Sequence, residues 1–188
     1  MIMKITKCNL AGLLIIETDI FRDHRGMFTE KYSKKKFAEH GFNVNFVQDN
    51  CSKSVKNVLR GLHYQIAPAQ GKLVSVTNGA ILDVAVDLRP DSETYGQYYA
   101  VELTSDNGKS LWIPAGFAHG FCNIGQDEAD VVYKVDNFYN HAGDCGIIWN
   151  DEELGINWPI NNPIISDKDQ SLPSFKQYKL NPAKWQER

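Results

Sequence analysis

From Val58 onward the chain repeats one pattern: a short apolar run, a turn, another short apolar run. LVSVTNGAILDVAVDLRPDS reads as a hairpin turning at Asn78-Gly79. In its second strand Leu82, Val84, Val86 and Leu88 face one way, and Asp83 and Asp87 the other. Tyr95-Gly96 opens the next strand, which runs to about Thr104. Asp106-Asn107-Gly108 then turns the chain into KSLWIP, and HGFCNI and DVVYKVDNF follow. Upstream, Gly12 to Thr18 reads as a buried strand, Asp23 to Gly26 as a turn, and Asn45 to Ser52 as a further strand. One helix stands out, from Ser33 to His40: Ser33 caps it, Phe37 and Ala38 give it a small apolar face, and Gly41 ends it. Many short strands at near-regular spacing with a single clear helix predict an all-β sandwich or barrel. Beyond Trp158 the periodicity fades, and Pro159, Pro163, Pro173 and Pro182 predict an irregular tail wrapped over the sandwich.

At 188 residues the expectation is one domain, residues 1–188, with that tail beginning at about residue 159. A chain of this length buries a full core without disulfide or metal staples. A net charge of -3 argues against a nucleic-acid surface but leaves room for a local basic pocket. Cys8, Cys51, Cys122 and Cys145 have neither zinc-ligand nor CxxC spacing and read as reduced thiols of a cytoplasmic protein. No run reaches the roughly 18 apolar residues of a membrane span, and the N-terminus lacks the pattern of a secretion signal.

The stretch RGLHYQIAPAQGKLVSV, Arg60 to Val76, gathers the chemistry. Arg60 keeps its charge at any working pH, an imidazole such as His63 takes a proton near neutrality, and Lys72 offers a positive charge to an oxygen that becomes negative. A base beside two cations suits proton abstraction next to a carbonyl. The same residues also fit a solvated hairpin, and at this point both readings stand. On a regular strand Arg60 and His63 face opposite ways, so a shared pocket requires a bulge, for which Gly61 is the candidate.

Gly108 to Asn123 has the form G-x5-P-x-G-x2-H-x3-N, the second signature of the cupin superfamily. In it a Pro-x-Gly corner aims His119 into the mouth of a barrel; a histidine that merely bonds the backbone is the plainer alternative. Metal-binding cupins resemble this chain less well. Their first signature supplies two histidines and a glutamate, whereas His63-Tyr64-Gln65 offers one imidazole, and His24, His40 and His141 lie outside both signatures. The expectation is no catalytic metal.

An ordered set of stretches, among them FRDHRGMFTE, FVQDN, VLRGLHYQ, LWIPAGFAHGF, YKVDNFY and SDKD, resembles the dTDP-4-dehydrorhamnose 3,5-epimerase family from about residue 21 to 169. The resemblance implies a cupin-type jelly-roll β-sandwich or barrel with one or two short helices, forming a homodimer with exchanged N-terminal strands. It implies a nucleotide-linked 4-keto-6-deoxyhexose as substrate, probed by four catalytic groups. His63 would be the base at C3 and C5, Asp169 its partner, Lys72 the holder of the enolate charge, and Tyr133 the acid on the opposite face. Arg25, Glu30, Gln48, Asn50, Arg60, His119, Asp144 and Lys168 fall where the family contacts substrate, and Tyr139 where it stacks a ring on the nucleobase. No cofactor is implied, since the ketone is its own electron sink. Asp144 stands where a glutamate is common, and Gly125 to Asp130 lengthens the loop before Tyr133. The rival expectations are a 3-epimerase or ketoisomerase on a related nucleotide sugar, and a non-catalytic cupin that binds one.

Overall fold

The computed structural model describes residues 3–185. In chain order the elements are β1 (Met3–Lys7), β2 (Leu14–Thr18), β3 (Ile20–Asp23), β4 (Gly26–Thr29), α1 (Lys34–Glu39), β5 (Gln48–Ser54), β6 (Leu59–Gln65) and β7 (Lys72–Asn78). They continue with β8 (Ala80–Asp87), β9 (Tyr98–Thr104), β10 (Lys109–Ile113), β11 (Phe117–Asn123), β12 (Ala129–Val135), β13 (Asp144–Gly146), α2 (Asp167–Gln170) and α3 (Phe175–Leu180). Two antiparallel sheets face each other. One runs β1-β2-β10-β7-β12-β5 and the other β13-β6-β11-β8-β9; β3 and β4 form a separate hairpin.

The main core lies between the sheets, where Val74, Val76, Leu111 and Val131 of the first meet Ile81, Ala85, Leu103 and Phe121 of the second. Each of the Val, Leu, Ile and Phe side chains contributes about 1.5–3 kcal/mol on burial. Both outer faces are covered as well. Leu73 and Trp112 pack against Phe37 and Phe42, which explains the apolar face of α1. Val84, Val86 and Leu88 pack against Phe175 and Tyr178 of α3. The face of β8 that carries Val84 and Val86 is therefore the outer one, sealed by the tail, and the other face carries Asp83 into the interior beside Ile81 and Ala85.

Two expectations are corrected here. Asn78-Gly79 does not close a hairpin, because β7 and β8 belong to different sheets. Gly79, at φ +76°, carries the chain across the sandwich, and an added Cβ would meet the Glu128 carbonyl oxygen at 2.7 Å. The inward residues of both strands then meet across the core rather than edge to edge. The strand expected from Asn45 begins only at Gln48; Val44 and Phe46 instead pack on the outer aromatic cluster. The tail holds two short helices, α2 capped by Ser166 and α3 by a Ser174–Gln177 capping box. Among the described residues no helix is long and apolar enough to cross a membrane.

Candidate active site

Between β6 and β11, His63 pairs with His119 and Arg60 with Phe121. Gly61 and Leu62 thus stand opposite Gly120 alone, so β6 carries one extra residue. Gly61 has φ +119°, and a Cβ there would lie 2.5 Å from the Gly120 Cα. Only glycine facing glycine permits this crossing. The bulge resets the alternation of β6, and Arg60 and His63 line one cavity of about 500 Å³ with Lys72, His119, Tyr133 and Asp169.

His63 Nε2 lies 2.7 Å from Asp169 Oδ1, and Asp169 Oδ2 accepts the Gly61 N–H at 3.1 Å. The tail brings this aspartate in: Ser166 caps α2 by accepting the Asp169 backbone N–H, leaving the carboxylate facing β6. Burial raises the Asp169 pKa, but the hydrogen bond and charge of His63 and the N–H of Gly61 more than offset it, holding the carboxyl below its usual value. With Nε2–H donated to Asp169, the lone pair of His63 sits on Nδ1. The His63 side chain is 30% exposed and lines the cavity.

Lys72 comes from the opposite sheet. Its ammonium donates to the His63 carbonyl oxygen at 3.3 Å, and among the described residues no carboxylate lies within salt-bridge distance. Burial pulls its pKa down to about 8 against the fields of Asp144 and Asp83, which raise it. A cation so placed is ready for an oxygen that gains charge during a reaction. Tyr133 stands on the same sheet and face as Lys72, with Val135 opposite Lys72 in the β12–β7 register. Its hydroxyl forms no hydrogen bond among the described residues. Burial and Asp144 raise its pKa while Arg60 opposes them, and the phenol stays protonated through the neutral range. His63 and Tyr133 therefore approach the hollow from opposite walls.

A second lobe of about 360 Å³ shares His63, Lys72, Tyr133 and Lys168 with the first, and adds Gln48, Asn50, Tyr139 and Asp144. Gln48 and Asn50 are alternate residues of one strand, with the Gln48 amide donating to Asn50 Oδ1 at 2.8 Å. At the rim, Asp144 Oδ2 accepts both from Lys168 at 2.6 Å and from the Tyr139 hydroxyl at 3.0 Å. Burial raises the Asp144 pKa, but these donors and the charges of Lys168 and His63 bring it below the ordinary value. The shorter aspartate thus still reaches both partners.

Arg25 and Glu30 are not brought to the cavity. Arg25 pairs with Asp23 on the exposed β3–β4 hairpin, beside a separate hollow of about 530 Å³, and Glu30 pairs with Lys36. Arg60 borders the cavity with its guanidinium tied to Ser54 Oγ and the Lys53 carbonyl oxygen. His119 is buried rather than open, its Nε2 lying 2.6 Å from Asp83 Oδ1. Ser52, Phe121, Ile164 and Ile165 also line the first lobe, and sequence reasoning did not single them out. The isoleucines come from a segment without periodicity, and Phe121 reads as ordinary core. Among the described residues no three His, Cys, Asp or Glu side chains converge as a metal site would need.

Antiparallel sheets that close on a polar hollow are the architecture of the cupin-like β-sandwiches, and this hollow is lined by a histidine–aspartate pair together with a lysine and a tyrosine of the facing sheet. Comparison gives the family: the model for dTDP-4-dehydrorhamnose 3,5-epimerase matches residues 7–177, and the chain belongs to that family of isomerases. It is 51% identical over 175 residues to the dTDP-4-dehydrorhamnose 3,5-epimerase of Shigella flexneri, covering 92% of this chain and 96% of that one. It superposes with TM-score 0.92 and 40% identity on the Legionella pneumophila enzyme in complex with dTDP-4-keto-L-rhamnose, covering 99% of this chain and 100% of that one. The Bacillus anthracis enzyme with TDP and pyrophosphate bound gives TM-score 0.88 and 46% identity over 93% of this chain and 100% of that one.

Proposed function

We propose that this chain epimerises dTDP-4-dehydro-6-deoxy-D-glucose at C3 and C5 to dTDP-4-dehydro-L-rhamnose, as a step of dTDP-rhamnose biosynthesis in the cytoplasm. The observation that carries the reading is that His63 on one wall and Tyr133 on the facing one line a single cavity with Lys72, whose ammonium reaches the His63 carbonyl oxygen.

The substrate ketone at C4 acidifies the hydrogens on C3 and C5. His63 Nδ1 removes one of them, the C–H electron pair moves into an enolate, and Asp169 holds the ring and the positive charge it acquires. The negative charge gathers on the C4 oxygen, where Lys72 receives it; a donor so placed is worth about 3–4 kcal/mol in the barrier. Tyr133 then gives its proton to the opposite face of the carbon, which inverts the centre. Exchange with water returns a proton to the phenolate and takes one from the imidazolium. The ring meets the same groups again for the second carbon. No organic cofactor is needed, because the ketone accepts the electrons.

The second lobe takes the nucleotide. Tyr139 stacks on the base, Gln48 and Asn50 read its edge, and Lys168 turns from Asp144 to the diphosphate with Arg60. In a homodimer with exchanged N-terminal strands, the hairpin carrying Arg25 reaches the cavity of a second copy and brings Glu30 with it. Exposed Phe21, Met27 and Phe28 on that hairpin support this assembly.

Proton NMR of the reaction in deuterated water tests the function. Deuterium is expected at both C3 and C5 of the product. Entry at C3 alone would make the chain a 3-epimerase, and entry at neither carbon would contradict the proposal.

A further inference from the structure

Among the described residues three buried side-chain polar atoms lack a hydrogen-bond partner, and one is Asp83 Oδ2. Asp83 is wholly buried on the inward face of β8, and its other oxygen lies against His119 Nε2 at 2.6 Å. Leaving a carboxylate oxygen unpaired away from water is costly, and such an atom in a native fold calls for an explanation. A purely structural aspartate on the same strand shows the contrast. Asp87 is bonded by Arg89, Ser92 and Thr94, with both oxygens engaged. Asp83 is left with His119 and with the field of a lysine.

That lysine is Lys72. Around it stand His63 of β6, His119 of β11 with Asp83 of β8 bonded to it, Tyr133 of β12, Asp144 of β13 and Lys168 of α2. Lys168 already engages Asp144. Of the two carboxylates whose fields support the Lys72 charge, Asp83 is the one without a cationic lysine or arginine in contact.

We propose that Asp83 is a positioning residue of the epimerase site: it fixes His119 with Nδ1 towards the sugar and supplies the buried negative charge that balances the Lys72 ammonium on the C4 oxygen. The proposal rests on the reading of Lys72 as the holder of the enolate. Without the Asp83 charge, burial of Lys72 is opposed by Asp144 alone, and the ammonium is lost at lower pH.

Asp83→Asn keeps the shape and an acceptor for His119 but removes the charge. The basic limb of kcat/KM against pH is expected to move down by about 1 pH unit. In protein labelled with 13C at the lysine ε-carbon, the Lys72 resonance should titrate lower by the same amount. Affinity for TDP should stay within about twofold, since TDP lacks the ketone. If the Asn variant does not fold, Asp83→Ser carries the same expectation. An unmoved limb, an equal loss of rate at every pH, or a moved limb with an unmoved Lys72 titration would overturn the proposal. Deuterium wash-in by the unaltered protein tests the underlying function separately, so intact wash-in with an unmoved limb removes Asp83 alone.

Discussion

Two histidine–aspartate pairs sit side by side on neighbouring strands of one sheet, since His63 and His119 are register partners. Their hydrogen bonds are nearly equal, 2.7 Å for His63–Asp169 and 2.6 Å for His119–Asp83. Their surroundings are not. The His63 side chain is 30% exposed and that of His119 8%. Asp169 arrives on a helix of the tail and uses both oxygens, whereas Asp83 belongs to the next strand and leaves one oxygen unpaired. The lesson is that a paired imidazole is not yet a base. A proton acceptor needs its second nitrogen within reach of the substrate, and of the two pairs the His63 side chain is the more exposed to the cavity. The sealed pair is the one to which we assign a positioning role.

His63→Ala and His119→Ala should separate the two roles most widely. The first is expected to lower kcat by about 10³-fold or more, because the proposed mechanism uses one base for both carbons. The second should lower kcat/KM by about tenfold, mainly through KM. Equal losses in steady-state assays would erase the distinction.

Lys72→Met probes the cation that lines the cavity with both histidines. Turnover should fall about 10²–10³-fold. Stability should move the other way. Burial lowers the Lys72 pKa from its ordinary 10.5 to about 8, so keeping the ammonium charged in the fold costs stability below pH 8. That cost fades as pH rises from about 8 towards 10.5. Urea titration at pH 7 should find the variant about 1–2 kcal/mol more stable, allowing for solvent that reaches the cavity, and the gain should shrink by pH 10. A variant less stable at pH 7 would contradict the burial argument.

Asp169→Asn should cost about 10²-fold in kcat, since an amide neither selects the His63 tautomer nor supports its positive charge. The Asp169 pKa is depressed in the fold, so its contribution to stability is present above the ordinary value of 3.8 and is lost as pH falls through the lower folded value. Acid denaturation of the unaltered protein should therefore show a loss below about pH 4 that the variant lacks. A small effect, on binding alone, is expected at Tyr139, at the rim of the second lobe. Tyr139→Ala should weaken TDP binding by about tenfold in calorimetry, with kcat unchanged.

The sandwich was legible because alternation fixes which face of a strand is buried. It does not fix which strand lies alongside, and so Asn78-Gly79 read as a hairpin turn when the chain was crossing between sheets. The helices α2 and α3 were invisible because four and six residues are too short for a 3.6-residue period to register. His63, Lys72 and Arg60 were legible from their residue types, and the bulge at Gly61 from the parity conflict between two of them. Tyr133 alone was indistinguishable from a core aromatic. Asp169 looked like a solvated tail residue, and only the family resemblance lifted it. Asp83 was visible as a polar residue opposite an apolar stripe, but its partner on β11 lies 36 residues away and nothing local announces it.

The account depends on two walls acting on one carbon from opposite sides, and Tyr133→Phe in deuterated water tests that most directly. His63 and Lys72 remain in this variant, so deuterium should still wash into recovered substrate while inversion at C5 falls by about 10²-fold. Inversion at an unchanged rate would show that the proton on the far face comes from somewhere else.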